Sequence, residues 1–155
     1  MSPQPVLTGG CQCGRVTYTS TTLPTHFTNC CCKTCSRLSG GPFFTFADIP
    51  VSAINWTSGE EYLMKKSYSE IAERTHCVEC GTPISMVYKC EPETIGITAA
   101  SINMGTIKGT LPHVKSYIFV GEEAPAGWYT LPDDGVPRYS KFNPGFQERI
   151  GASKS

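Results

Sequence analysis

THCVECGTPI, residues 75–84, is the stretch that decides how this chain folds. Cys77 and Cys80 stand two residues apart, and Gly81 follows at once. A Cys-x2-Cys turn between two strands aims both sulfurs at one point. A glycine after it supplies the left-handed backbone that closes the knuckle. Zinc in a closed site takes four ligands, so a second pair is needed. It is read in GGCQCG, residues 9–14, where Cys11 and Cys13 would share one face of a regular strand. Cys11, Cys13, Cys77 and Cys80 are therefore expected to form a four-cysteine structural zinc site. The plain alternative is four buried free thiols.

Between these pairs lies NCCCKTC, residues 29–35. Cys32 and Cys35 make a further Cys-x2-Cys at the start of a short helical turn. Cys30 falls on the same side as Cys32 by alternation, and Cys31 points the other way. Three thiols, Cys30, Cys32 and Cys35, can converge, and no fourth ligand is near in sequence. Three protein ligands and an open position is the pattern of a catalytic zinc. A second structural site and a metal-free redox dithiol are the alternatives. Three thiolates leave such a site net negative, which suits the capture of another thiol better than the activation of water. The expected chemistry is therefore that of a thiol such as glutathione, with carbon–sulfur bonds made or broken.

Composition agrees. The chain has 155 residues, the size of one domain, 1–155. Lys+Arg and Asp+Glu are 13 each, so the formal charge is zero. That excludes the cationic surplus of a nucleic-acid binder or a polybasic membrane anchor. No apolar run approaches the length of about 18 residues that a membrane span requires. The N-terminal MSPQPVLTGG lacks the basic and apolar regions of a secretory signal, so a cytoplasmic location is expected. In a reducing compartment, nine clustered cysteines point to metal rather than to disulfides.

Short alternating or β-branched runs recur between Gly, Pro, Asn and Asp breaks. They predict strands over 15–20, 42–47, 61–67, 71–76, 82–88, 94–99 and 114–120, in a mainly β, mostly antiparallel fold. One helical turn is expected over 33–38, ended by Gly40, and another near 50–54. The Pro- and Gly-rich tail from Gly121 is expected to wrap the sheet irregularly and to fray over 151–155. Phe44 and Phe46 share a strand face and should be core.

The pattern GGCQCGRVTY, then CCCKTCSRLSG, then HCVECGTPI resembles the glutathione-dependent formaldehyde-activating enzyme family, which includes centromere protein V. YIFVGEEAP, Trp128 and DDGVPRY resemble its C-terminal pattern, so the likeness covers about residues 9–142. The resemblance implies an Mss4-like fold built around a zinc site. It implies a structural zinc on Cys11, Cys13, Cys77 and Cys80, and a second, labile zinc tied to activity on Cys30, Cys32 and Cys35. Two positions depart from the family. Cys31 and Tyr117 stand where it usually has histidine, which bears on the pocket more than on the metals.

The resemblance also implies the reaction, reversible addition of glutathione to formaldehyde giving S-(hydroxymethyl)glutathione, by a carbon–sulfur lyase-type enzyme. Arg37 is a candidate for a glutathione carboxylate, with ordinary solvation as its alternative. His26 lies four residues before the second cluster and is a candidate to reach it. Arg138 would contact the pocket or pin the tail. Cys90 is expected to be an inert packed thiol. No residue is identified as proton donor. Two other functions compete: a zinc-dependent tailoring enzyme for another small metabolite, and a non-catalytic zinc-ribbon-like protein-binding module. Small-molecule partners are expected, with no nucleic acid and no membrane.

Overall fold

A computed structural model describes residues 3–121 and 127–153, with side chains to residue 151. The strands are β1 Leu7–Gly10, β2 Thr17–Ser20, β3 His26–Cys30, β4 Phe44–Pro50 and β5 Ile54–Ser58. They continue as β6 Leu63–Lys66, β7 Ala72–Cys77, β8 Pro83–Tyr88, β9 Thr94–Thr98 and β10 Val114–Ile118. Two α-helices, α1 Lys33–Ser39 and α2 Pro144–Ser153, accompany them. The fold is mainly β, as expected. No helix among the described residues is long and apolar enough to cross a membrane.

A three-stranded sheet, β1-β2-β5, packs on one face of a seven-stranded sheet in the order β10-β3-β4-β9-β8-β7-β6. Leu7 and Tyr18 of the small sheet meet Phe27, Ala47, Ile49, Ile84, Ile95 and Ile97 of the large one, and this is the main core. On the other face Cys30, Cys35, Phe44, Phe46, Met86 and Ile118 form a second cluster. Phe44 and Phe46 stack there with ring centroids 4.7 Å apart, as the alternation required.

The strand pairing is mostly antiparallel, as expected; among the described strands β10 alone runs parallel to its neighbour, β3, with Tyr117 opposite Asn29 and Ile118 opposite Cys30. Several other expectations are corrected. Strands β1, β3 and β5 lie outside the predicted runs. The predicted turn near 50–54 is a 3-10 turn, Val51–Ala53. Cys11 and Cys13 are not on a strand: they occupy the turn after β1, where the Gly14 amide donates to the Cys11 carbonyl at 3.1 Å. The tail is not wholly irregular either. Asn143 Oδ1 accepts the Phe146 amide at 3.0 Å, and Pro144 opens α2. Phe146 and Ile150, one turn apart, are both buried. Of the frayed tail, 151–153 belong to this helix and 154–155 lie outside the described residues, as do 122–126 of the C-terminal pattern.

Candidate metal centres

The fold brings both predicted cysteine groups together. The ligand atoms of Cys11, Cys13, Cys77 and Cys80 all lie within 4.8 Å of one another, and so do those of Cys30, Cys32 and Cys35. Four sulfurs held about 2.3 Å from a zinc ion stand about 3.8 Å apart at the corners of a tetrahedron. The separations of 3.5 Å for Cys11–Cys13 and 3.8 Å for Cys13–Cys77 fit that arrangement. A soft four-sulfur donor set of this size could hold zinc.

The first group joins the turn after β1 to the turn between β7 and β8. In the second turn the Gly81 amide donates to the Cys77 carbonyl at 2.8 Å, with Gly81 at φ 78°. Thr82 fastens the two turns: its hydroxyl accepts the Gln12 amide at 3.0 Å and meets the Cys80 sulfur at 3.2 Å. The Val16 amide donates to Cys11 Sγ at 3.3 Å. Burial works against the Cys11 thiolate, but the Val16 bond and the Cys13 and Cys77 thiols lower its pKa on balance. Cys80 is brought down to about 5, chiefly by the Thr82 hydroxyl. Cys13 feels a lowering bond from the Arg15 amide, yet desolvation and its sulfur neighbours push it up to about 12. Four thiols this close cannot all ionise without a cation among them.

The second group sits where β3 runs into α1. Cys32 is the helix N-cap, and its sulfur accepts the Cys35 amide at 3.3 Å. Cys30 and Cys35 are buried and Cys32 half-buried. Hydrogen bonds from the Cys30 and Cys35 thiols bring Cys32 down to about 2. Cys30 is raised by those same contacts with Cys32 and Cys35, and by burial. Cys35 is lowered by the Cys30 thiol but raised more by its bond to Cys32 and by burial, ending at about 11.

Arg74 was not foreseen. From β7 its Nη2 donates to Cys35 Sγ at 3.1 Å, and its guanidinium lies over the Phe46 ring, 5.5 Å from the centroid. Burial lowers its pKa, but the charge and hydrogen bond of Cys35 raise it further, so it stays cationic. It is therefore a fixed positive charge beside the thiols. Nothing local signals this, since its partner is 39 residues away.

Other candidates fall elsewhere. His26 pairs with Asp48 at 2.9 Å and is not among the clustered ligands. Arg37 is exposed in the last turn of α1. Arg138 packs over the Tyr117 ring and donates to the Pro132 carbonyl, so it pins the tail. Cys31 and Tyr117, the two departures, pack with Leu131 in a cluster separate from the one holding Cys30 and Cys35.

Proton uptake gives a direct check on the second group. Near neutral pH, one of its three sulfurs is ionised and two carry protons. A metal bound by three thiolates must displace those two protons. Zinc added to the metal-stripped group is therefore expected to release about two protons per ion, with affinity rising about a hundredfold per pH unit. Calorimetry in buffers of different ionisation enthalpy reads this number. A release near zero would mean that the thiols are not the ligands.

The sequence profile of the glutathione-dependent formaldehyde-activating enzyme family matches residues 6–120. Both cysteine groups fall inside that segment and α2 falls beyond it. No curated protein matches the chain. Among solved structures, the crystal structure of a Rhodobacter sphaeroides protein aligns with a TM-score of 0.54 at 23% identity, covering 69% of this chain and 99% of that one. At that identity the likeness speaks to the fold alone.

Proposed function

The chain belongs to the glutathione-dependent formaldehyde-activating enzyme family, and we infer that it is a zinc-dependent carbon–sulfur lyase-type enzyme adding a glutathione thiol reversibly to formaldehyde. The observation that carries this reading is the three-thiol group, whose ligand atoms lie within 4.8 Å of one another and which borders cavities able to admit small molecules. In this reading Cys11, Cys13, Cys77 and Cys80 hold a structural zinc, and Cys30, Cys32 and Cys35 a second one. The second zinc, when bound with an open fourth position, supplies a Lewis acid that lowers the pKa of a thiol offered there.

The chain's own residues do the rest. In the addition, the sulfur lone pair forms the S–C bond, the C=O π pair moves to oxygen, and that oxygen takes a proton. Tyr88 lines both spaces beside the thiols. Burial, then the charges of Cys30 and Cys35, hold its pKa well above the ordinary phenol value, so its hydroxyl stays neutral and can donate a hydrogen bond to the oxygen as negative charge develops there. Arg74 offsets the excess negative charge of three thiolates around a dication and keeps Cys35 in place. Arg37, exposed on α1, is available only to a carboxylate reaching the outer surface.

Native mass spectrometry of the freshly purified protein tests this reading. Two zinc ions per chain are expected, with a glutathione adduct that depends on the second. A coupled assay should show adduct formation from formaldehyde well above the buffer background. One zinc, no adduct and no acceleration would remove the thiol-chemistry reading and favour a binding module.

A further inference from the structure

Two spaces of different character meet at the three-thiol group. One is an open cleft of about 220 Å³ on the Cys32 side, with Lys33, Ser69 and Arg74 in its walls. The other is a cavity of about 340 Å³ between the large sheet and the C-terminal residues. Along β3 its wall runs from His26 through Thr28 to the buried Cys30. Phe46, Met86 and Ile118 continue the wall, and Phe142 and Phe146 cover it. The covering rings are locked by Tyr88, whose centroid lies 4.7 Å from Phe146 and 5.8 Å from Phe142.

Formaldehyde has two heavy atoms, whereas 340 Å³ is the size of a site for a true small-molecule ligand. The charged groups of the cavity do not ask for a charged occupant. His26 pairs with Asp48 at 2.9 Å, Arg149 pairs with Glu91 at 2.8 Å, and Lys115 is exposed at the edge. What remains facing the Cys30 end is uncharged: the aromatic and aliphatic side chains of Phe46, Met86, Ile118 and Phe142, with the hydroxyl-bearing Thr28 and Tyr88 beside them. The covering residues also lie beyond the segment that matches the family, so this space is shaped by the chain's own C-terminal part.

We propose that this cavity receives the apolar, ring-sized substituent of an aldehyde larger than formaldehyde, and that Phe142 and Phe146 set this specificity. The proposal rests on the thiol-addition reading above. The atoms balance as before: the thiol loses its proton, sulfur bonds to the carbonyl carbon, and the former carbonyl oxygen gains a proton, giving a hemithioacetal with no change of oxidation state. The polar body of the thiol is left to the open cleft.

Gly96 provides the test. It lies on β9 with its Cα side toward the cavity, and a Cβ there would meet the Met86 carbonyl at 3.4 Å, Asp48 Oδ1 at 3.5 Å and Phe46 Cβ at 3.5 Å. These are ordinary contacts for a Cβ, and Gly96 is not among the residues at positive φ, so the strand accepts a side chain here and the rest of the leucine in Gly96→Leu is expected to extend into the cavity. The probe is 3-phenylpropanol, an unreactive stand-in for 3-phenylpropanal, titrated into the zinc-loaded protein by calorimetry. The wild type should bind it, and Gly96→Leu should bind at least about tenfold more weakly with zinc content and far-UV spectrum intact. With glutathione, 3-phenylpropanal should be the better aldehyde by about tenfold in kcat/KM. Absence of wild-type binding, or equal binding by Gly96→Leu, overturns the proposal even where formaldehyde is turned over. Binding lost in Gly96→Leu together with acceleration of neither aldehyde overturns the thiol-addition reading, and the aldehyde as occupant with it.

Discussion

Cys77→Ser is expected to unfold the protein. Cys77 is wholly buried at the end of β7, and its sulfur lies 3.8 Å from that of Cys13, 64 residues away in sequence. The four-thiol group ties the small sheet to the far end of the large one, so it spans the two layers whose contact forms the main core. A structural zinc contributes about 10–16 kcal/mol in small zinc modules near neutral pH. A whole domain is held by about 5–15 kcal/mol. Loss of one ligand from a four-sulfur site is therefore comparable to the entire margin. Serine makes it worse, because its hydroxyl is a poor zinc ligand and is left buried where the thiolate stood. The variant should lose its cooperative melting transition, and a strong chelator should do the same to the wild type. Melting within a few degrees of the wild type would show that the group is packing, not a metal site.

How much of this was legible follows residue by residue. Strands β7, β8 and β9 carry β-branched or apolar residues at close spacing and stand between clear turn signals, so local pattern found them. Strand β1, LTGG, reads as a turn. It pairs with β2 because Gly9 lets the Tyr18 ring lie against the backbone, where a Cβ would strike that ring and stand 2.7 Å from the Ser101 carbonyl. That need is tertiary, so no local pattern states it. The parallel pairing of β10 with β3 depends on a long crossover and is invisible for the same reason. Helix α2 was different: Asn143 before Pro144, then Phe146 and Ile150 one turn apart, is a readable start, overshadowed by Gly145 and Gly151. In the site, cysteine spacing carried both groups because thiols at short separations have few other uses. Arg74 and the cavity under Phe142 and Phe146 were hidden, since both arise from residues far apart in the chain.

Cys32→Ser is expected to leave the fold standing and abolish activity. The same position serves two purposes, and serine satisfies only one. As helix N-cap, Cys32 accepts the Cys35 amide at 3.3 Å, and serine is among the best residues for that role. The side chain is half-buried, so little packing is lost, and Cys30 and Cys35 stay in their cluster. As a metal ligand, however, Cys32 is the sulfur whose thiolate is most favoured, brought down to about 2 by the Cys30 and Cys35 thiols. A serine hydroxyl does not ionise near neutral pH and is too hard a donor to replace it. The remaining two thiols, Cys30 and Cys35, are an incomplete donor set for zinc and hold it poorly. Zinc content should fall by one ion per chain, the melting temperature should move by only a few degrees, and kcat/KM should drop by at least about a thousandfold. The contrast with Cys77→Ser separates the two groups: one variant loses structure with its metal, the other loses only chemistry. Full activity in a folded Cys32→Ser protein would mean that the three-thiol group is not where the reaction happens.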